Sequence, residues 1–363
     1  MIIAFIIALL LYGLLVFYIG WSGFRGLGLK GNRWFVACYI MVLVVLSTSF
    51  IIGRLGNGSV VFSIIGNYWL AIFGLLLLTL PVVHIVMLIM RFTKIDRNKT
   101  RVVATTVVLF LVVGTLMYGS YLAYTPKVTE YNISIAKSSS EDMKIVMLSD
   151  THFGYLSGIK HAKRLVEEVN QLDADLILIP GDIIDDDLDI VEKKGIFEIL
   201  SGLESKYGVF GSLGNHDKYR GQMDKLIGAI ETADIEILYD EVYLLNDEIY
   251  IVGRKDKSER YREATKDLVA GLDASKPMFL LDHQPYEFAE ADAAGIDLLV
   301  AGHTHKGQIA PGNLITKRLF ENDYGYLKKG NLHTIVSSGY GFWGPPIRLG
   351  SQSEIVVINV HFE

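Results

Sequence analysis

Cysteine is nearly absent from this chain: Cys38 stands alone among 363 residues. No disulfide can close within it, so the fold depends on none. Acids are scarce at the front, where residues 1–124 hold nine Lys and Arg but a single carboxylate, Asp96. Four runs there, 2–20, 34–52, 69–90 and 102–122, contain no Asp, Glu, Lys or Arg. With nothing charged to turn toward water, that part is excluded as an ordinary soluble domain. Internal repeats and low-complexity segments are also missing.

Each run is long enough to cross a hydrocarbon core of about 30 Å. Trp21, Trp34, Tyr68, Trp69, Tyr118, Tyr121 and Tyr124 fall near their ends, where aromatic belts sit. Basic residues in short loops set orientation: 20–33 carries Arg25, Lys30 and Arg33, 91–101 carries Arg91, Lys94, Arg97, Lys99 and Arg101, and 53–68 only Arg54. The first and third loops are then cytoplasmic. Everything after 122 is expected outside, making the chain a multi-pass protein of the cell membrane with an extracytoplasmic catalytic part. A cleaved signal peptide at 2–20 is the alternative, but its positive charges follow the apolar run, which favours an uncleaved span. His84 reads as a relay group or as a packed membrane histidine, and its isolation favours packing.

The remainder holds 25 basic and 39 acidic residues, a net charge of −14. Such a domain is a poor partner for nucleic acid, whose backbone it repels; membrane lipids are the expected partners. The division is 1–124, an all-α transmembrane bundle of four helices, and 125–363, an α/β domain with its motifs within 144–308. In the second part apolar β-rich runs (128–135, 144–149, 175–180, 208–213, 235–238, 278–281, 297–301, 333–337, 355–360) alternate with helical patterns at 160–172, 190–203, 222–233, 260–272 and 286–294. Residues 242–245 and 249–252 read as a hairpin.

These strands end in donors. The run 144–149 leads to Asp150-Thr151-His152, 175–180 to Gly181-Asp182, 208–213 to Gly214-Asn215-His216-Asp217, 278–281 to Asp282-His283, and 297–301 to Gly302-His303-Thr304-His305. One such end alone reads more readily as a turn or cap. Four histidine-bearing ends and a Gly-Asp end read as a site at the carboxyl edge of a sheet. Imidazole with carboxylate, one amide and no thiolate suits Mn²⁺, Fe, Zn²⁺ or Ni²⁺ rather than Ca²⁺.

The ordered blocks Asp150-x-His152, Gly181-Asp182, Gly214-Asn215-His216, His283 and Gly302-His303-x-His305 resemble the five-block signature of the calcineurin-like metallophosphoesterases. Leu281-Asp282-His283-Gln284-Pro285, Gly307-Gln308 and Pro346-Ile347-Arg348 are similar to that family's membrane-anchored bacterial branch. Lys306 stands where that branch usually has Gly, Ser353 where Pro is common and Thr151 where Leu is frequent. The resemblance implies a layered α/β sandwich with mixed sheets. It implies two divalent metal ions, one held by Asp150, His152 and His305, the other by Asn215, His283 and His303, with Asp182 between them. His216 would be catalytic, meeting substrate rather than metal, with Asp217 or another acid orienting it.

The expected activity is metal-dependent hydrolysis of phosphomonoesters or phosphodiesters, on lipid-linked or cell-envelope substrates reachable from an anchored site. A pyrophosphatase of the UDP-2,3-diacylglucosamine type and a catalytically silent metal-binding membrane module are the alternatives. Arg254, Lys306 and Arg348 are candidate substrate contacts; Arg254 also reads, with Lys255, Arg260 and Arg262, as a solvated helix start. His161 is expected at the surface, and His333 and His361 as structural. The stretch 340–344 reads as an apolar substrate wall or as a packing loop.

Overall fold

The computed structural model describes residues 2–29, 33–53, 59–139, 141–185, 187–218 and 222–363. Lys30 and Arg54, counted above for orientation, lie outside the described residues. The chain forms two compact units, 1–120 with 344–346, and 121–343 with 347–363.

The first unit contains α1 (Ile2–Gly26), α2 (Arg33–Ile52), α3 (Val60–Met90) and most of α4 (Arg97–Tyr124). All four are long and apolar enough to cross a membrane. Ile19, Trp69, Leu80, Val108 and Val112 pack inside, and Phe5 and Phe110 point outward, where a soluble bundle carries polar side chains. Trp69 Nε1 donates to the Tyr12 hydroxyl at 2.8 Å, and Tyr12 donates to the Ser47 carbonyl at 2.7 Å, which ties three helices. His84 is a packed histidine, its Nδ1 2.9 Å from the Tyr18 hydroxyl.

The second unit is the expected layered α/β sandwich with two mixed sheets. The strands are β1 (Lys127–Ile135), β2 (Met143–Met147), β3 (Leu176–Pro180), β4 (Val209–Ser212), β5 (Ile235–Ile237), β6 (Glu241–Leu245), β7 (Ile249–Gly253), β8 (Met278–Leu281), β9 (Leu298–Ala301), β10 (Gly325–Lys329), β11 (Leu332–Val336) and β12 (Glu354–Phe362). One sheet runs β1-β12-β2-β3-β4-β5, the other β10-β11-β9-β8-β7-β6. Ile145, Met147, Leu178 and Phe210 of the first sheet meet Ile251, Phe279, Leu281 and Val300 of the second in one dry core. The outer faces are covered separately. The helix Ile159–Asn170 and its neighbours bury Leu165 and Val169 against the first sheet, and Phe288 and Ala291 pack on the second. Strands covered on both faces read as continuous apolar runs, which is why β2, β3, β8 and β9 were legible.

Four elements differ from expectation. The helical pattern at 190–203 is two short helices, Leu188–Lys193 and Ile196–Leu200, because Gly195 takes φ 62° between them. The pattern at 260–272 yields only Thr265–Leu268. Neither β10 nor the helix Gly312–Leu319 was read from the sequence; that helix buries no side chain and so lacks the apolar stripe that betrays a packed one. His161 is a correction. It is buried, because 161, 165 and 169 recur at helical spacing on the inner face of Ile159–Asn170, and its ring stacks on Tyr340 at 4.3 Å. Removal from water lowers its pKa to about 3, so it is neutral. His333 packs under Tyr326, whereas His361 is exposed beside Asp142.

Candidate metal centre

Five strands of the second unit end at one place, β2, β3 and β4 from one sheet and β8 and β9 from the other. The chain must turn hard at each exit to aim a side chain back across the strand ends. Asp150, His152, Asp182, His303 and His305 accordingly take positive φ of 52°, 43°, 54°, 68° and 49°. Non-glycine residues adopt that region at a cost of about 1–3 kcal/mol each, tolerated where surrounding structure imposes it. Gly214 serves close approach instead: a Cβ there would lie 2.6 Å from the Asp182 amide nitrogen.

Donor atoms converge in three overlapping groups, the outermost being His152, Asp185 and His216 at the rim. Asp150, His152 and His305 form a second, and Asp150, Asp182 and His283 a third; within each group the donor atoms lie within 4.8 Å of one another. His152 Nε2 is 3.1 Å from His305 Nε2 and 3.6 Å from Asp182 Oδ2. His305 Nε2 is 3.4 Å from Asp150 Oδ1. On the other side, Asn215 Oδ1 lies 2.8 Å from His303 Nδ1 and 3.2 Å from His283 Nε2. His283 Nδ1 is 2.9 Å from the Pro180 carbonyl, which as an acceptor takes the Nδ1 proton and turns Nε2 toward Asp182, 3.1 Å away. All seven residues singled out as ligands in the sequence therefore come together.

Electrostatics say what this pocket suits. Asp150, Asp182 and His283 are sealed from solvent, and buried carboxylates demand a compensating positive charge. Burial pulls His283 down, but Asp182, and behind it Asp150 and Asp256, raise its pKa to about 10. Burial pushes Asp182 up, yet the neighbouring His283 overrides it and holds the carboxyl far below the carboxylate range. Burial raises Asp150 to about 6. His303 is lowered to about 4 by burial and by His283, and His305 lies well below the ordinary imidazole value through burial, His152 and Arg348. Neutral imidazoles beside buried carboxylates fit divalent cations. A proton on His283 fills the cationic role in the ion-free chain, so cation binding releases it.

His216 stands at the rim, half-buried. Its backbone N–H donates to Asp182 Oδ1 at 2.8 Å, and its ring centroid is 5.0 Å from that of His152. The acid near its Nδ1 is Asp185, at 3.8 Å. Asp217, the expected orienter, instead accepts the backbone N–H groups of Ile184 and Gly214 at 2.9 and 2.8 Å and so ties the β3 exit to the β4 exit. Burial and Asp182 raise its pKa to about 7. Asp185 follows the Gly-Asp block by three residues, and the run of acids at 185–187 was the signal that could have found it.

The expected substrate contacts are placed differently. Arg254 is buried, donating to Asp282 at 3.2 Å and Glu287 at 3.0 Å, with Arg262 on the same two acids. A solvated helix start would not need those carboxylates. Arg348 is fully buried behind the pocket, where Nη2 donates to the Gly339 and Gly341 carbonyls and lies 3.2 Å from His305 Nδ1. It supports a donor rather than reaching the rim. Lys306 sits half-buried with Nζ 4.0 Å from the Tyr324 ring centroid. Tyr340 and Phe342 are core, whereas Trp343 is 49% exposed and its ring lies 6.0 Å from His216. Gln308, unassigned in the sequence, clamps that tryptophan: its amide donates to the Trp343 carbonyl at 2.9 Å and accepts the Trp343 N–H at 3.0 Å.

Residues 143–307 match the model of the calcineurin-like phosphoesterases, and this part of the chain belongs to that family. Its buried Asp/His clusters make it a metallophosphoesterase domain. An uncharacterized metallophosphoesterase of Helicobacter pylori is 36% identical over 241 residues, 65% of this chain and 64% of that protein. A zebrafish (Danio rerio) protein described as a transmembrane protein with metallophosphoesterase domain is 29% identical over 261 residues, 65% of this chain and 57% of its own. An uncharacterized metallophosphoesterase of Aquifex aeolicus is 29% identical over 264 residues, 69% of this chain and 98% of its own. The chain thus spans less than two thirds of the first two.

Proposed function

We propose that the chain is a membrane-anchored phosphohydrolase requiring two divalent cations, and that it cleaves phosphomonoesters or phosphodiesters borne on lipids or other envelope molecules. The observation that carries the reading is the convergence of seven donors from both sheets around buried carboxylates. Asp150, His152 and His305 would hold one ion and Asn215, His283 and His303 the other, with Asp182 shared; Mn, Fe, Zn and Ni all suit the set. Such ions supply Lewis-acid stabilisation of the phosphoryl oxygens and lower the pKa of the attacking water. His216, at the rim beside His152 and Asp185, donates a proton to the leaving oxygen. Asp185 positions the His216 ring.

An apolar shelf supports a lipid-borne substrate. Leu314, Ile315 and Leu319 on the helix Gly312–Leu319 are 67%, 60% and 67% exposed, and the next residue, Phe320, packs its ring 6.1 Å from that of His303. Exposed apolar surface beside a phosphate site favours substrates that carry alkyl chains. The zebrafish relative's description as a transmembrane protein agrees with anchoring, and the loop charges favour an outer-face domain. The test is hydrolysis of a generic aryl phosphodiester with Mn²⁺ by the full chain and by Asp182→Asn. Loss in the variant is expected; equal rates would leave a metal-binding module without turnover. A reporter fused at the C-terminus reads the membrane face separately.

A further inference from the structure

The first unit holds a half-open cavity of about 750 Å³ among α1, α2, α3 and α4. Its walls divide sharply. Ile19, Leu80, Val83 and Val108 line one part, and four arginines, Arg25, Arg91, Arg97 and Arg101, line the other. No acid lines it. The single carboxylate of residues 1–124, Asp96, is turned to the start of α4, accepting the Lys99 N–H at 2.8 Å. Among the described residues none of the four arginines has a carboxylate partner. Arg101 donates to the Asn98 side chain at 3.3 Å, and its Nε is buried with no hydrogen-bond partner.

The polar end is built. The Arg25 guanidinium lies 4.9 Å from the Trp21 ring centroid, and Trp21 packs edge-on against His84 at 6.0 Å, itself held by Tyr18. Arg25, Arg91 and Arg97 are exposed and Arg101 half-buried. Water and salt screen part of the repulsion among the four guanidiniums. An anion among them relieves the rest, and their planar forks match phosphate oxygens. The apolar part continues into the span, where only hydrocarbon is a fitting neighbour. A volume of this size holds a headgroup with part of a chain.

We infer that this cavity is a binding site for an anionic phospholipid, its phosphate among Arg25, Arg91, Arg97 and Arg101 and an acyl chain along Ile19, Leu80 and Val108. The occupant is a bilayer lipid rather than free phosphate, because the apolar wall offers nothing to an inorganic ion. The site is separate from the donors of the second unit and stands whether or not that unit hydrolyses a lipid.

The full chain, delipidated in detergent, is titrated with phosphatidylglycerol or phosphatidylcholine and examined by native mass spectrometry. Phosphatidylglycerol is expected to bind one-to-one and about tenfold or more tighter than phosphatidylcholine, and millimolar inorganic phosphate is expected not to displace it. Arg25→Gln with Arg101→Gln removes the preference. Ala104→Trp, which fills the cavity while keeping every charge, removes the binding, so the inference remains falsifiable if the arginine variant fails to fold. Lys94→Gln with Lys99→Gln, outside the cavity, leaves both intact. Equal binding of the two lipids, displacement by phosphate, unchanged binding in Ala104→Trp, or a loss in the lysine variant equal to that in the arginine variant would each overturn it.

Discussion

Single side chains divide the labour in the second unit. His216 shares a rim group with His152 and Asp185 but lies outside the two buried groups that contain Asp150, so His216→Ala is expected to keep two metal equivalents by elemental analysis while kcat falls about 10²- to 10⁴-fold. Full activity in that variant removes the assigned role. Asp185→Asn should lower kcat less, since it positions rather than reacts. His283 predicts a pH response of the chelated protein. Its folded pKa is raised from the ordinary 6.5 to about 10. The stability from its pairing with Asp182 is therefore complete below about 6.5 and lost as pH rises through about 10. Thermal unfolding in chelator should show the melting temperature falling across that window, and Asp182→Asn should flatten the fall. Cation affinity rises over the same window, as the competing proton leaves.

Elements carry the next level. The carboxyl ends of β2, β3, β4, β8 and β9 converge because parallel neighbours place their exits at one edge. Arg348, buried before β12, fixes the 339–341 backbone and the His305 ring, and its replacement tests support without touching a donor. Arg348→Met is expected to weaken cation affinity about 10- to 100-fold in a chelator competition, with the fold retained by circular dichroism. Strand ends with donors were legible in the sequence because each side chain follows a continuous apolar run and the chemistry sits in the side chain itself. Arg254 and Arg348 were misplaced because a lone arginine in a sequence says nothing of its burial, which here depends, for Arg254, on Asp282 and Glu287 far along the chain and, for Arg348, on the Gly339 and Gly341 carbonyls of the preceding loop. Asp185 was passed over for the nearer Asp217, whose carboxylate is spent on the backbone of two turns. The split at Gly195 and the unpacked helix Gly312–Leu319 escaped for related reasons: one hangs on a single left-handed residue, the other has no buried stripe.

Taken whole, the chain sets a charged site on one unit and an apolar four-helix unit beside it in sequence. The sharp swing from net +8 to −14 at residue 124 made that division readable from composition. The exposed Leu314, Ile315 and Leu319 belong to this scale, since the proposed function gives them a lipid-borne substrate to meet. Leu314→Asp with Leu319→Asp is expected to lower the ratio of vesicle-borne to soluble phosphoester hydrolysis by about tenfold; an unchanged ratio would separate the shelf from substrate choice.

The two buried donor groups also have a mechanical meaning. Asp150, His152, Asp182 and Asn215 come from one sheet's exits, His283, His303 and His305 from the other's, so any ion bound there rivets the two halves of the sandwich at their shared edge. Stripping it should let amide hydrogens at the ends of both sheets exchange faster, in step, while the far edges stay as slow as before.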